Sequence, residues 1–539
     1  MADDQFDAME REVWDHVFHI SPLFAVTLGL HEYDGLVPDL STAGTDAWIG
    51  RSRVLIQRLA QVDPQTLAPR RRTDREILSI MLEGFILEHT DYPYYDKLPG
   101  AYVYSLSLIP YMCRQYATPL HRAKAILQAM KGAPVLLRAG VGRLRTPLPR
   151  PFISVGLSMA TGMKGHYHDA AALVDEMAPQ LASERQSAYD AAVAALDEFI
   201  AHLEKEVAGA TDDFALGPER FHRLISVKER LALSNDELWQ LGWDDLKRNQ
   251  RRMGELASRM VPSGKPLDAI RSFSHDHPEA NALLDEAREY VKEVRSFVQQ
   301  KDLATIPTPE ECRVEETPSF ERATTTAALQ PAPPFEKGQG QGIYYVTPVE
   351  ASWDEKKKRE WLEYFNRPLF RNVTAHEVYP GHHLQFLHQK LSPTMTGKAF
   401  FSSAFAEGWA HYVEELMIEL GYRSAHPESE VSQIQDALLR DCRLLASVGM
   451  HTRGMSLKEA SDLFVREAYM DSFPAEREAL RGTFNPEYFC YTLGKLTIRD
   501  VRKRYMEHHP KATMKEFHDL LLSHGSPPVG LLAQLMLGK

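Results

Sequence analysis

At 539 residues the chain is several times the size of a typical domain, so it can bury a large core without disulfides or metals as staples. Its net charge of −12 excludes a general nucleic-acid binder, which needs a basic surface to neutralise phosphates. Four cysteines, Cys113, Cys312, Cys442 and Cys490, lie far apart with no CxxC spacing, which excludes a disulfide framework or a zinc ribbon and indicates a reducing compartment.

The first twenty residues, MADDQFDAMEREVWDHVFHI, are acidic and amphipathic, without the basic start and apolar run of a secretory leader. No later stretch approaches the roughly 18 apolar residues of a membrane span. The expected location is therefore cytoplasmic, with no membrane and no nucleic acid among the partners. Segments such as 185–206 and 280–300 place apolar residues at i, i+3, i+4 and i+7 among strong helix formers, which predicts helices and a mainly α, bundle-like architecture. Near 303–350 the composition shifts to Pro, Thr and Gly with β-branched and aromatic runs, predicting short strands with loops. Gly342–Thr347 is the best strand candidate, bounded by the GQGQG run and Pro348. The expected organisation is a helical region over 1–302, a small β element over 303–350 and a second helical region over 351–539.

That second region carries His376-Glu377-Val378-Tyr379-Pro380-Gly381-His382-His383. Neutral imidazoles to hold an ion, and a carboxylate to take a proton from water, are what a hydrolytic Zn²⁺ site needs. The usual His-Glu-x-x-His pattern puts two histidines one turn apart on one helix face. Here Pro380 occupies the fifth position. On an unbroken helix, His382 would point about 120° away from His376, and His383 would return to the same face about 10.5 Å further along. Proline lacks an N–H, and its ring collides with the carbonyl four residues back, that of His376. The helix should therefore bulge or break across Val378–Gly381. A bulge absorbing two residues returns His382 to the second ligand position, and one absorbing three returns His383. The histidine left over would support a ligand or face substrate.

A third ligand should come from Phe401–Leu416. There Phe405, Trp409, Tyr412 and Leu416 form an apolar stripe, while Glu407, His411 and Glu414 share another face. Glu407, with small Gly408 beside it, is suited to approach a metal helix. Two later stretches, Val448–Gly454 with His451 and Tyr488–Lys495 with Tyr491, put polar donors beside glycines, where each could serve a tetrahedral oxyanion or be a buried, satisfied core residue.

These residues resemble a bacterial family of unknown function grouped with the zincin metallopeptidases, whose hallmark His-Glu-x-x-Pro-Gly-His-His-Leu-Gln is matched by His376 to Gln385. The resemblance extends to Glu407-Gly408-Trp409-Ala410 with Tyr412 and Glu414, to Gly449 and His451, and to Tyr491 with Gly494-Lys495-Leu496. It is also similar, at greater distance, to the Glu-ligand zincins of the thermostable carboxypeptidase, oligopeptidase and angiotensin-converting groups. That similarity implies a large helical fold with a central cleft and an edge strand that pairs with substrate backbone. Aligning their Gly-His-x-Leu with Gly381–Leu384 selects His382 as second ligand. The expectation is a zinc-dependent peptidase with one Zn²⁺ per chain, held by His376, His382 and Glu407. Glu377 would be the general base, His383 a supporting or substrate-facing group, and His451 and Tyr491 oxyanion donors. Gly342–Thr347 would bind peptide backbone by strand addition, and the expected partner is a peptide or small amide substrate. The alternatives are hydrolysis of a non-peptide amide, or a helical scaffold whose metal site is structural or lost.

Overall fold

A computed structural model describes residues 2–538 apart from Pro93, Glu310, 319–321, 323, 324 and 337–340. Among the described residues the chain is mainly helical, with one small three-stranded sheet. It divides into two compact units, Met1–Leu216 with Pro333–Gln339, and Gly217–Ala332 with Gly340–Lys539. The division thus falls at Leu216/Gly217, inside the stretch read from sequence as a single helical region over 1–302.

The first unit packs long helices, among them α1 (Ala182–Glu206), around Trp14, Phe18, Tyr102, Tyr111, Tyr167 and Phe199, all nearly inaccessible. The second unit holds every candidate site residue. Its elements include α2 (Asn235–Met260), opened by a Ser234/Glu237 capping box, and α3 (Leu283–Gln300), whose buried stripe runs Leu283, Ala287, Tyr290, Val291, Val294 and Val298. Three strands follow: β1 (Arg313–Glu316), β2 (Ala327–Gln330) and β3 (Ile343–Val346).

The strand expected at Gly342–Thr347 is β3, although most of the GQGQG run meant to bound it lies outside the described residues. It is the centre of the sheet, parallel to β1 on one side and antiparallel to β2 on the other. All four of its residues are buried. With both edges already paired, β3 cannot accept a substrate strand, which corrects the role expected for it. The edge strand nearest the site is β2.

The remaining elements carry the site: α4 (Arg367–Glu377), α5 (His382–Lys390), α6 (Ser403–Glu419), α7 (Pro427–Thr452), α8 (Ser472–Phe484) and α9 (Cys490–His508). Asn366 caps α4 by accepting from Leu369 N at 3.1 Å, and Ser402 caps α6 by accepting from Phe405 N at 3.1 Å. Beneath the sheet, α3, Tyr344 and Val346 share one core with Phe370, Ala375, Val378, Tyr379 and Leu384. The junction between α4 and α5 is therefore anchored by apolar burial on one side.

A candidate metal centre at a helix break

Proline does to this helix what its geometry predicts. The α4 helix stops at Glu377, four residues intervene, and α5 starts at His382. Gly381 N reaches back to Ala375 O at 3.0 Å, folding the chain onto the end of α4. A Cβ at Gly381 would lie 1.8 Å from His376 O, so only glycine fits this turn. Trp409 of α6 donates its indole N–H to Pro380 O at 3.0 Å, which fixes the break against the next helix.

The break brings His376 and His382 together, with ring centroids 4.8 Å apart and planes at 87°. The Nε2 atoms of both face Glu407 Oε2, each at 3.5 Å. All three donor atoms lie within 4.8 Å of one another, and no other such group of His, Cys, Asp or Glu occurs among the described residues. Donors about 2.0–2.1 Å from a tetrahedral Zn²⁺ stand about 3.3–3.5 Å from each other, which is the spacing of each histidine from Glu407. Two imidazoles and a carboxylate leave a fourth position open. The side chains of His382 and Glu407 keep 12% and 24% of their exposure, so that position can be reached by solvent.

Behind the cluster lies a buried polar support. His376 Nδ1 meets Glu414 Oε1 at 2.5 Å, which presents Nε2 to the cluster. Glu414 is itself held by Arg440, at 3.0 Å, and by Asn372, which also donates to Asp436 at 2.8 Å. Burial opposes charge on His376, but Glu407 and Glu414 outweigh it and raise its pKa to about 10. Burial likewise disfavours the Glu414 charge, yet Arg440 and His376 hold its carboxyl well below the usual range. A metal entering the site must displace the His376 proton. On the other candidate ligand, His382 Nδ1 faces Gln385 Oε1 at 3.5 Å.

Sequence reasoning assigned no role to Glu414, Arg440, Asn372 or Asp436. A signal existed for two of them. Glu414 lies two turns beyond Glu407 on the same face, and Asn372 one turn before His376. The position of His411 also becomes clear: fully buried, it lies 3.7 Å from Glu414 Oε2, and burial followed by the charge of Lys495 pushes it down to about 3.

The other expected residues divide into two groups. Glu377 accepts a hydrogen bond from Leu329 N of β2 at 2.9 Å, which sets its carboxylate at the strand edge. Tyr491 belongs to α9, whose Gly494 presses against α6; a Cβ there would lie 1.8 Å from Ala404 O. The close approach expected of Gly408 is made to this helix, at Gly494, and not to the helix bearing His376. Burial raises the Tyr491 phenol, and the charge of the Glu407 carboxylate raises it further.

His383 and His451 are not brought to the cluster. His383 is buried edge-on to Tyr379, with a Cβ at Gly342 only 2.6 Å from its Nδ1. His451 Nε2 meets Gly482 O at 2.9 Å, and its ring stacks on Phe221. Desolvation drives both down to about 4. These two are packing residues of the core, because the side of the break that holds His383 faces the sheet and His451 faces α8.

Two solved structures share this fold. One from Shewanella oneidensis, described as a "putative lipoprotein of unknown function", is 23% identical, covers 99% of each chain and superposes with a TM-score of 0.83. Another from Colwellia psychrerythraea, described as a "putative lipoprotein", is 16% identical, with 100% of this chain and 99% of that chain covered at a TM-score of 0.82. No curated protein is matched. Both neighbours carry a lipoprotein description, which contradicts the cytoplasmic location expected from the sequence. Widely spaced cysteines do not identify a compartment, because a fold with this large a core needs no disulfides wherever it resides. No helix among the described residues is long and apolar enough to cross a membrane. The family model for bacterial proteins of unknown function DUF885 matches residues 22–536, and the chain belongs to that family.

Proposed function

We propose that the protein is a zinc-dependent hydrolase that cleaves peptide amide bonds. The observation that carries the reading is the convergence of His376, His382 and Glu407 at ligand spacing, with a second carboxylate, Glu377, immediately following a ligand in the chain. A divalent ion held there would act as a Lewis acid, making water a nucleophile near neutral pH and polarising the scissile carbonyl. Glu377, oriented by the Leu329 amide, takes the proton of the attacking water and delivers it to the leaving amine. Tyr491, whose phenol feels the Glu407 charge, donates to the oxygen on which negative charge develops. Glu414 keeps His376 in the tautomer that offers Nε2.

A peptide is favoured as substrate by the sheet. Leu329 N points away from β3 and towards Glu377, and Ala327, two residues earlier, turns its backbone polar groups the same way. An extended peptide added along this edge of β2 would run its backbone past the Glu377 carboxylate.

Elemental analysis of protein purified without added metal should find about one zinc per chain, and a peptide library digested by it should yield discrete cleavages by mass spectrometry. Glu377→Gln should keep zinc and fold while turnover falls by orders of magnitude. Failure to take up Zn²⁺, or full activity in Glu377→Gln, would refute the proposal.

A further inference from the structure

Beside the cluster, on the side of His382, three aromatic rings form a row. His382 stacks on Phe386 with centroids 6.0 Å apart and planes at 29°, and Phe386 stacks on Phe401 at 6.0 Å and 15°. Phe386 follows His382 by one turn of α5, so the two share a face. Phe401, at the far end, is 42% exposed. A single exposed phenylalanine is common on protein surfaces. What sets this one apart is its continuity with a candidate metal ligand and the way its backbone is fixed.

The segment around Phe401 is tied to both helices that supply the cluster. On the α5 side, Gln389 donates to Phe400 O at 2.9 Å, and Gln385 donates to Ser526 Oγ at 2.8 Å. Ser526 O in turn accepts from Ser402 N at 3.0 Å. On the α6 side, the Ser402 hydroxyl caps the helix that carries Glu407 and donates to the buried Glu229 carboxylate at 3.0 Å. Phe401 is thus held at a set distance from His382 and from Glu407. Rings fixed in this way bind apolar groups with little loss of conformational entropy, which favours recognition.

We infer that Phe386 and Phe401 form an apolar subsite that receives an aromatic or large aliphatic side chain adjoining the amide bond to be cleaved. The inference rests on the metal-hydrolase reading above and narrows its substrates to peptides with Phe, Tyr, Leu or Met beside the scissile bond. A residue with a small or charged side chain there would leave the ring faces wet, and an apolar pocket discriminates against such losses by about 10–200-fold.

The test uses the full zinc-loaded chain and two small chelators, phenylalanine hydroxamic acid and glycine hydroxamic acid. They share the metal-binding group and differ only in the side chain. Titration calorimetry should show the phenyl compound binding about tenfold or more tighter. Phe401→Ala should abolish most of that preference with zinc content unchanged, and Phe401→Leu should retain part of it. Phe401 is surface-exposed, so neither change threatens the fold. An absent preference in the wild type, or one that survives Phe401→Ala, overturns the subsite while leaving the hydrolase reading in place. Binding of neither compound to the zinc-loaded protein overturns both. A preference that depends on Phe401, in a protein that cleaves no peptide in a library digest, upholds the subsite and refutes the peptidase reading.

Discussion

The candidate metal cluster and the adjoining core treat the same side chain in opposite ways. His376 is buried against two carboxylates, and its pKa rises to about 10; His383, seven residues on, is buried against Tyr379 and the sheet and falls to about 4. His382 and His383 are neighbours in sequence, yet one turns to Glu407 and the other to the backbone at Gly342. Burial alone therefore does not mark a functional histidine. What separates the two regions is whether the low dielectric encloses a partner charge or only apolar surface.

The sharpest way to break this comparison is to truncate the two neighbours. His382→Ala should lower zinc affinity by orders of magnitude and leave the core intact. His383→Ala should keep zinc and lower stability by about 1–3 kcal/mol, because it empties a packed site. Zinc titration and thermal unfolding of the two variants distinguish these outcomes, and the reverse ordering would place His383 at the metal. A second contrast pairs the residues expected to serve the oxyanion. Tyr491→Phe should reduce kcat by about 10²–10³ with KM little changed, as for loss of a single oxyanion donor. His451→Gln should leave kcat within a few-fold of wild type and act on stability instead, since its ring is committed to Gly482 O.

The support behind His376 can be probed more gently. Glu414→Gln should weaken zinc binding by about 10–100-fold without unfolding the protein, the usual effect of loosening a group that orients a ligand. Competition with a chromogenic chelator measures it. Unchanged affinity would mean that Arg440 and Asn372 hold their carboxylate for packing alone.

The smallest effect concerns pH. His383 and His451 have folded pKa values near 4, below the unfolded value of about 6.5, so each favours folding when neutral. Their contribution is complete above pH 6.5 and is lost as pH falls towards 4. His383→Leu should therefore flatten the drop in Tm between pH 6.5 and 4. In metal-free protein His376 behaves oppositely: its contribution is present below pH 6.5 and fades as pH rises towards 10. An acid limb as steep in His383→Leu as in the wild type would contradict the neutral, buried state assigned to His383.

Much of this was legible before any coordinates. Periodicity located the helices now seen as Ala182–Glu206 and Leu283–Gln300, because an apolar stripe is a local property of the chain. Pro380 announced the break between Glu377 and His382, since the clash of its ring with the preceding turn depends only on covalent geometry. Residue chemistry pointed to His376 and Glu407 and left His382 and His383 both open as the second candidate ligand; the resemblance to the Glu-ligand zincins selected His382.

Tertiary structure alone decided the rest. Whether β3 lay at an edge or in the centre depended on where β1 and β2 paired, a matter of contacts far apart in sequence. The fates of His383 and His451 depended on Gly342 and Gly482, which no local pattern connects to them. The Glu414 carboxylate became the partner of His376 only through the crossing of α4, α6 and α7, which also brings Arg440 to it. A side chain's role is set by the charges and surfaces that packing brings to it, and those come from elsewhere in the chain.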